Sequence, residues 1–544
     1  MKILLTTLIL VINLLFPSFA FGAIGATCVW EFRTTGNNDN GGGYTSGGTD
    51  YTLQDAAQLT LTDLACLDTS TTLTSVTGGF TEAMIGNLIH IKSGTNFVFT
   101  DGSAFYEITA YTDTNTVTID RTAASPATDA TAGTGSVGGC LALPHDANWA
   151  SFVAGNTVYF KLGTYTLTSD VDNSTVATTA LTKTIEGYKT ARGDEPAGAD
   201  RPTIAAAGRE FFLNQYWHFK YFIVTTTDSD GLGCGNNGFE YNVKVFNSST
   251  SAGRPAFDNY GQGYNIMCEA ISTKGNAFSE YASGYTLLNS YAHDSAIGIE
   301  ARDHNSYSGY NIINTVIETC GIGFDPGGSN EHRMVGSVIY NCTIGIKGTG
   351  IDESHGNTII NNIIDSNITG LSWTTEQTTN FIDYNCWNNN TADTSNATKG
   401  ANAVDADPLL TVTLASGSDG TTDGADETKF ESASNPFGSV TTNDCIIIHS
   451  GTSVTTGVYT ITAVVDAGEI TISAGATTGG SSIIFGIAEG ADFTVGSGSP
   501  VLSAAVQNGT DTGLTGDYKW NIGVDQDDVT AAGGGDPIGW VGID

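Results

Sequence analysis

An all-β solenoid is the fold class that this 544-residue sequence predicts, and three observations predict it. The first is repetition. Four segments, YTLLNSYAHDSAIGIE, YNIINTVIETCGIGFD, RMVGSVIYNCTIGIKG and NTIINNIIDSNITGLS, follow one another between residues 285 and 372, each with a short apolar run, a polar triplet and a glycine. Their marker glycines, Gly298, Gly323, Gly345 and Gly370, stand 25, 22 and 25 residues apart, and periods of this size mean stacked repeats. The second observation is the brevity of the apolar runs, such as Ile312-Ile313 with Val316-Ile317, which are β-branched and too short for a helix. The third is composition: 68 glycines, 11 prolines, 14% charged and 40% hydrophobic residues describe an ordered, turn-rich β protein.

A coil of strands with this period is a parallel β-helix, in which each rung hydrogen-bonds to the next and inward side chains stack in rows. Three residues before each marker glycine stand Ser295, Cys320, Cys342 and Asn367, one such row. Nearer the N-terminus, GNTVYFKLGTYTL (155–167) has the form of a first rung, followed by KTIEGYKTARGDEPAGADRPTI. On these segments, about 150 to 410 resembles the right-handed parallel β-helix (pectate-lyase-like) superfamily. The resemblance implies a right-handed coil and, from several of its families, lyase action on polysaccharide.

In chain order, residues 1–22 carry one lysine, an apolar run from Ile3 to Phe16, Pro17 and small residues, the pattern of a secretory signal peptide. Residues 23–50 read as an N-terminal cap strand and a glycine-rich loop. Over residues 51–140 the pattern predicts a short helix at LQDAAQLTLTDLAC and then alternating strands. That series recurs over 411–490: Leu88-Ile89-His90-Ile91 matches Cys445-Ile446-Ile447-Ile448, and Tyr106-Glu107-Ile108-Thr109-Ala110 matches Tyr459-Thr460-Ile461-Thr462-Ala463. Two copies of a small β module are therefore expected as inserts, flanking a solenoid over 141–410, with a solenoid tail over 491–544. Fold repetition of this kind carries no chemistry by itself.

The net charge of −37 opposes DNA, RNA, anionic lipid and polyanionic sugars. An acidic polysaccharide would need a bridging cation such as calcium. Nine cysteines show no CxxC pair, which argues against zinc, and in an exported chain some can pair. Cys66 and Cys140 bracket one module and are the first pair to test; Cys320 and Cys342 form either a disulfide or a stacked row of buried thiols. The aromatic concentration from Phe211 to Phe222 is either core or a sugar-stacking platform.

Chemistry is expected where loops of consecutive rungs follow the marker glycines. Glu300-Ala301-Arg302-Asp303-His304, then Asp325 with Glu331-His332-Arg333, then Lys347 with Asp352, Glu353 and His355 would stack into one column. Asp303, His304, Glu331, His332 and His355 are the candidate catalytic groups, Arg302, Arg333 and Lys347 the candidate substrate-binding cations, and Asp325, Asp352 and Glu353 the candidate calcium ligands. Two carboxylates one or two rungs apart suit glycoside hydrolysis. A histidine or Lys347 beside a charge-neutralised uronate suits a lyase. Loops that are merely solvated and charged are the plain alternative, and His293-Asp294 reads as a turn pair. The function expected is carbohydrate engagement by an extracellular β-helix, as lyase or hydrolase; the alternative is a non-catalytic surface or spike-like adhesin.

Overall fold

The structure, a computed structural model, describes residues 27–98, 104–144, 152–172, 181–213, 215–227, 229–280, 284–301, 309–327, 331–348, 356–374, 379–406, 408 and, with short gaps, 416–488. The signal-peptide expectation and the proposed tail lie outside these residues. Among the described residues, no helix is long and apolar enough to cross a membrane. The chain divides into two compact units, residues 1–192 with 216–218 and residues 193–215 with 219–544.

In the first unit, Val29–Phe32 pairs in parallel with Thr157–Lys161, which pairs in parallel with Lys183–Tyr188. The expected cap strand is thus itself part of the parallel stack. Between these strands, Leu59–Cys66, Thr72–Ser75, Thr116–Ile119, Ala104–Asp113, Leu88–Thr95 and Ala130–Val137 close an antiparallel barrel in that order. The helix expected at LQDAAQLTLTDLAC is a single 3-10 turn at Tyr51–Leu53 followed by the strand Leu59–Cys66. Leu59, Leu61 and threonines alternate there, and the period of two places Leu61 in the barrel core with Ile89, Ile108 and Val117.

In the second unit the solenoid has three short strands per rung, for example Tyr285–Leu288, Tyr291–His293 and Ile297–Ala301, then Asn311–Ile313, Val316–Glu318 and Ile322–Asp325. Each strand lies in parallel register on its counterpart one rung earlier: Leu287 on Ile312, Ala292 on Ile317, Ile299 on Phe324. Two tight corners separate the three strands, and each needs a left-handed residue. Asn289, Asn314, Gly336 and Asn361 turn the first corner at φ 51°, 49°, 63° and 57°, residue types that tolerate this region. The marker glycines are sterically required: a Cβ on Gly323 or Gly345 would lie 2.5 Å from the carbonyl oxygen of the next marker glycine.

The row Ser295, Cys320, Cys342 and Asn367 is buried throughout. Its chemistry is local capping of rungs. The Cys342 N–H donates to Asn367 Oδ1 (2.8 Å), and Asn367 N–H and Nδ2 both donate to Asn390 Oδ1 (2.9 and 3.0 Å). Cys320 and Cys342 are free thiols. Cys66 and Cys140 are also free, which corrects the expected bridge: Cys66 Sγ donates to Ser70 O within its own turn (3.3 Å), while Cys140 lies against Asp55. Of the aromatic concentration, Phe211, Trp217, Phe219 and Phe222 are fully buried core. Further along the chain, Ser416–Thr422, Lys429–Ser432, Glu469–Ile472, Gly457–Asp466, Cys445–Thr452 and Ser481–Ala488 close a second barrel with the strand order of the first. The matched residues pair alike, Ile89 with Tyr106 and Ile446 with Tyr459.

Candidate functional site

Two residues after each marker glycine, the third strand of the rung turns a side chain outward. Register carries this position from strand to strand: Ser279 beside Glu300, Glu300 beside Asp325, and Lys347 beside Ser372, with Phe324 on Ile346 fixing Asp325 next to Lys347. The inward neighbours Ile299, Phe324, Ile346 and Leu371 are core, so the polar row has no freedom to slip.

Asn276 Nδ2 donates to Glu300 Oε2 (2.5 Å), with Ser279 Oγ at 3.5 Å from the same oxygen. Burial raises the Glu300 carboxyl above the usual carboxylate range, the neighbouring Asp325 charge raises it further, and the Ser279 and Asn276 hydrogen bonds oppose the rise. Asp325 accepts the Gly327 N–H at 3.0 Å. Burial raises its carboxyl too, but the Gly327 N–H and the Lys347 ammonium pull the other way. Two adjacent carboxylic groups thus have different surroundings, one crowded by negative charge and one supported by a cation.

Of the residues expected from sequence, the structure brings Asp325 and Lys347 together and adds Glu300. Arg302, Asp303, His304, Asp352, Glu353 and His355 lie outside the described residues. His332 does not share the row: it is 1% exposed, its ring stacks on Tyr310 (centroids 4.8 Å apart) and it meets Phe324 edge-on at 5.8 Å. Its backbone N–H donates to Asn357 Oδ1 at 3.0 Å, so this histidine packs inside the coil. Glu331 and Arg333 flank it, exposed, at the entry to the first strand. Glu331 takes φ 63° in a corner where Gly284, Gly309 and Gly356 serve the other rungs. Arg333 faces out between Asn311 and Thr358. Among the described residues, no group of three or more His, Cys, Asp or Glu side chains is arranged to hold a metal.

A second titratable cluster lies on the second strands. Glu269 Oε1 accepts from Lys244 Nζ and His293 Nε2, each at 3.0 Å, and His293 Nδ1 lies 2.8 Å from Asp294 Oδ2. Desolvation would lower the His293 pKa, but hydrogen bonds and charge from Asp294 and Glu269 outweigh it and raise the value to about 9. Asp294 does occupy a left-handed corner (φ 48°), so the turn reading of this pair holds for its backbone while its side chain joins an ion network.

These strand registers decide the architecture. The chain carries a parallel β-helix. No family model matches it, and no curated protein matches its sequence. Among solved structures, the β-helix chain is similar to the pectate lyase Pel9A, at 16% identity over 48% of this chain and 76% of that one, TM-score 0.35. It is similar also to the A-module of the mannuronan C-5 epimerase AlgE6 of Azotobacter vinelandii (14% identity, 46% and 91% covered, TM-score 0.31). A third is the tailspike protein of Acinetobacter baumannii phage AM24 (10% identity, 71% and 88% covered, TM-score 0.25).

Proposed function

We propose that this β-helix chain is a secreted carbohydrate-active protein that cleaves glycosidic bonds of a neutral polysaccharide with retention at the anomeric carbon. The observation that carries the reading is Glu300 in register with Asp325 on adjacent strands. Neighbouring strands lie ~4.8 Å apart, which puts two carboxylic groups near the ~5–5.5 Å separation of retaining glycosidases. Glu300, whose hold on its proton is strengthened by burial and by the neighbouring Asp325 charge, serves as general acid to the leaving oxygen. Asp325, supported by Lys347 and the Gly327 N–H, serves as the nucleophile. The acid then acts as base for water in the second step.

The net charge of −37 favours a neutral glycan over a polyuronate. Arg302, Asp303, His304, Asp352, Glu353 and His355 follow these strands in sequence, and a part for them in substrate binding or catalysis belongs to this proposal. A second reading, uronate lyase chemistry, is favoured by Lys347 in the same row, where its ammonium would neutralise a substrate carboxylate with calcium bound by the acidic loop residues. A screen of neutral and acidic polysaccharides, with and without EDTA, separates them. Reducing ends released from neutral glycans and abolished in Glu300→Gln and Asp325→Asn support the hydrolase. EDTA-sensitive absorbance of unsaturated uronates supports the lyase. Binding without any product favours the adhesin.

A further inference from the structure

The polar row does not end at Ser279. It continues through Asp258 and Gly233 to Phe212. Phe211 and Leu213 point into the core, so Phe212, between them, faces out and is half-buried. Its ring edge reaches over the next strand: a Cβ on Gly233 would sit 2.4 Å from Phe212 Cδ2, so the ring occupies the space that any other residue at 233 would fill. It then meets Tyr260 edge-to-face, with centroids 5.5 Å apart and planes at 68°. Tyr260 is 43% exposed, the Tyr260 N–H donates to Cys234 O (2.8 Å), and Tyr260 Oη donates to Asp258 Oδ2 (2.7 Å).

This pair differs from the other aromatics of the segment. Phe211, Phe219 and Phe222 satisfy the hydrophobic effect inside the coil; Phe212 and Tyr260 leave aromatic surface on the outer face, in line with Glu300 and Asp325. We propose that Phe212 and Tyr260 form a sugar-stacking subsite at one end of the row, with the buried Asp258 holding the Tyr260 hydroxyl in place. The proposal rests on the reading of the row as a glycan site. Asp258 lies two strands and Phe212 four strands before Glu300, roughly 10 and 19 Å at the usual strand spacing. That spacing is close to the length of one sugar residue in an extended glycan, so a chain lying along the solenoid would reach the platform only if it extended several residues beyond the scissile bond. Aromatic faces suit the C–H faces of pyranose rings, and the ring offered by Tyr260 is fixed at both ends by its hydrogen bonds.

The test is calorimetric binding of short and long oligosaccharides of the preferred glycan to the full chain carrying Asp325→Asn, which prevents turnover. The long ligand should bind more tightly than the short one. In Phe212→Ala and Phe212→Leu backgrounds that length-dependent gain should fall by about tenfold, and Phe212→Trp should keep it. Leucine preserves the cover over Gly233 while removing the aromatic face, so a leucine variant with the full gain would show a packing role and overturn the subsite. Binding of glycan with no difference between long and short ligands would also overturn it while leaving the row's function standing. No binding of any glycan by the folded protein would overturn both.

Discussion

Removing one asparagine from the internal ladder should cost more than its size suggests, and serine should recover much of the loss. Asn362 is 1% exposed. Its Oδ1 accepts the Ser337 N–H (2.9 Å), and its Nδ2 donates to Met334 O (3.1 Å) and Asn385 Oδ1 (3.0 Å). Asn362→Ala orphans the Ser337 N–H in a place water does not reach, at about 1–3 kcal/mol, and removes the bond to Met334 O at about 1 kcal/mol. Asn385 Oδ1 retains the Asn362 N–H at 2.9 Å, so that acceptor stays satisfied. The expected destabilisation is about 3 kcal/mol. One rung earlier the same position is Ser337, whose Oγ accepts the Thr315 N–H at 3.2 Å. Asn362→Ser should therefore keep the Ser337 amide bonded and cost about 1 kcal/mol. Urea denaturation of the three proteins gives the ranking, and hydrogen exchange at the Ser337 amide gives the cause, with faster exchange in the alanine variant alone. Equal stabilities for alanine and serine, or unchanged Ser337 protection in alanine, would refute the argument.

Other perturbations have equally definite outcomes. Glu240 is fully buried and burial pushes its carboxyl up to about 7, so the unfolded chain ionises first and stability held at low pH is lost as pH rises through 7, by roughly 3 kcal/mol. Glu240→Gln should flatten that part of a stability–pH profile measured by urea unfolding. His293, raised to about 9, contributes stability that is present below the ordinary histidine range and lost as pH rises through 9; His293→Gln should remove this alkaline loss and lower stability at pH 6. Gly345→Ala would place a Cβ 2.5 Å from the Gly370 carbonyl oxygen and should lower the thermal midpoint by several degrees, whereas Cys342→Ser keeps a small group that can donate to Tyr340 O and should shift it little.

The rung period, the marker glycines and the buried capping row were legible because each is a one-dimensional pattern that stacking makes three-dimensional. The polar row was legible in the same way where it lay a fixed distance from a marker: Glu300, Asp325 and Lys347 each stand two residues after one. His332 lies inside the coil and not on the loop column, because the order of residues along a loop does not fix which face each one takes. Its spacing from Tyr310 and Asn357, 22 and 25 residues, matches the rung steps and marks it as an inward position, a signal present in the sequence. The ion network of Lys244, Glu269 and His293 joins three rungs through buried side chains, and pairing across rungs follows from register, which single-rung motifs do not contain. The Cys66–Cys140 expectation failed for a related reason: residues that bracket a module in sequence need not meet, and here each thiol finds a local acceptor.

Proton NMR of a neutral polysaccharide digested by the full chain tests the central claim most directly, since the anomer that appears first reports the carboxylate geometry. The adjacent-strand pairing of Glu300 and Asp325 predicts a product that first carries the substrate's own anomeric configuration, and no product from Asp325→Asn. First appearance of the opposite anomer, unsaturated uronate signals, or cleavage that survives Asp325→Asn would contradict it.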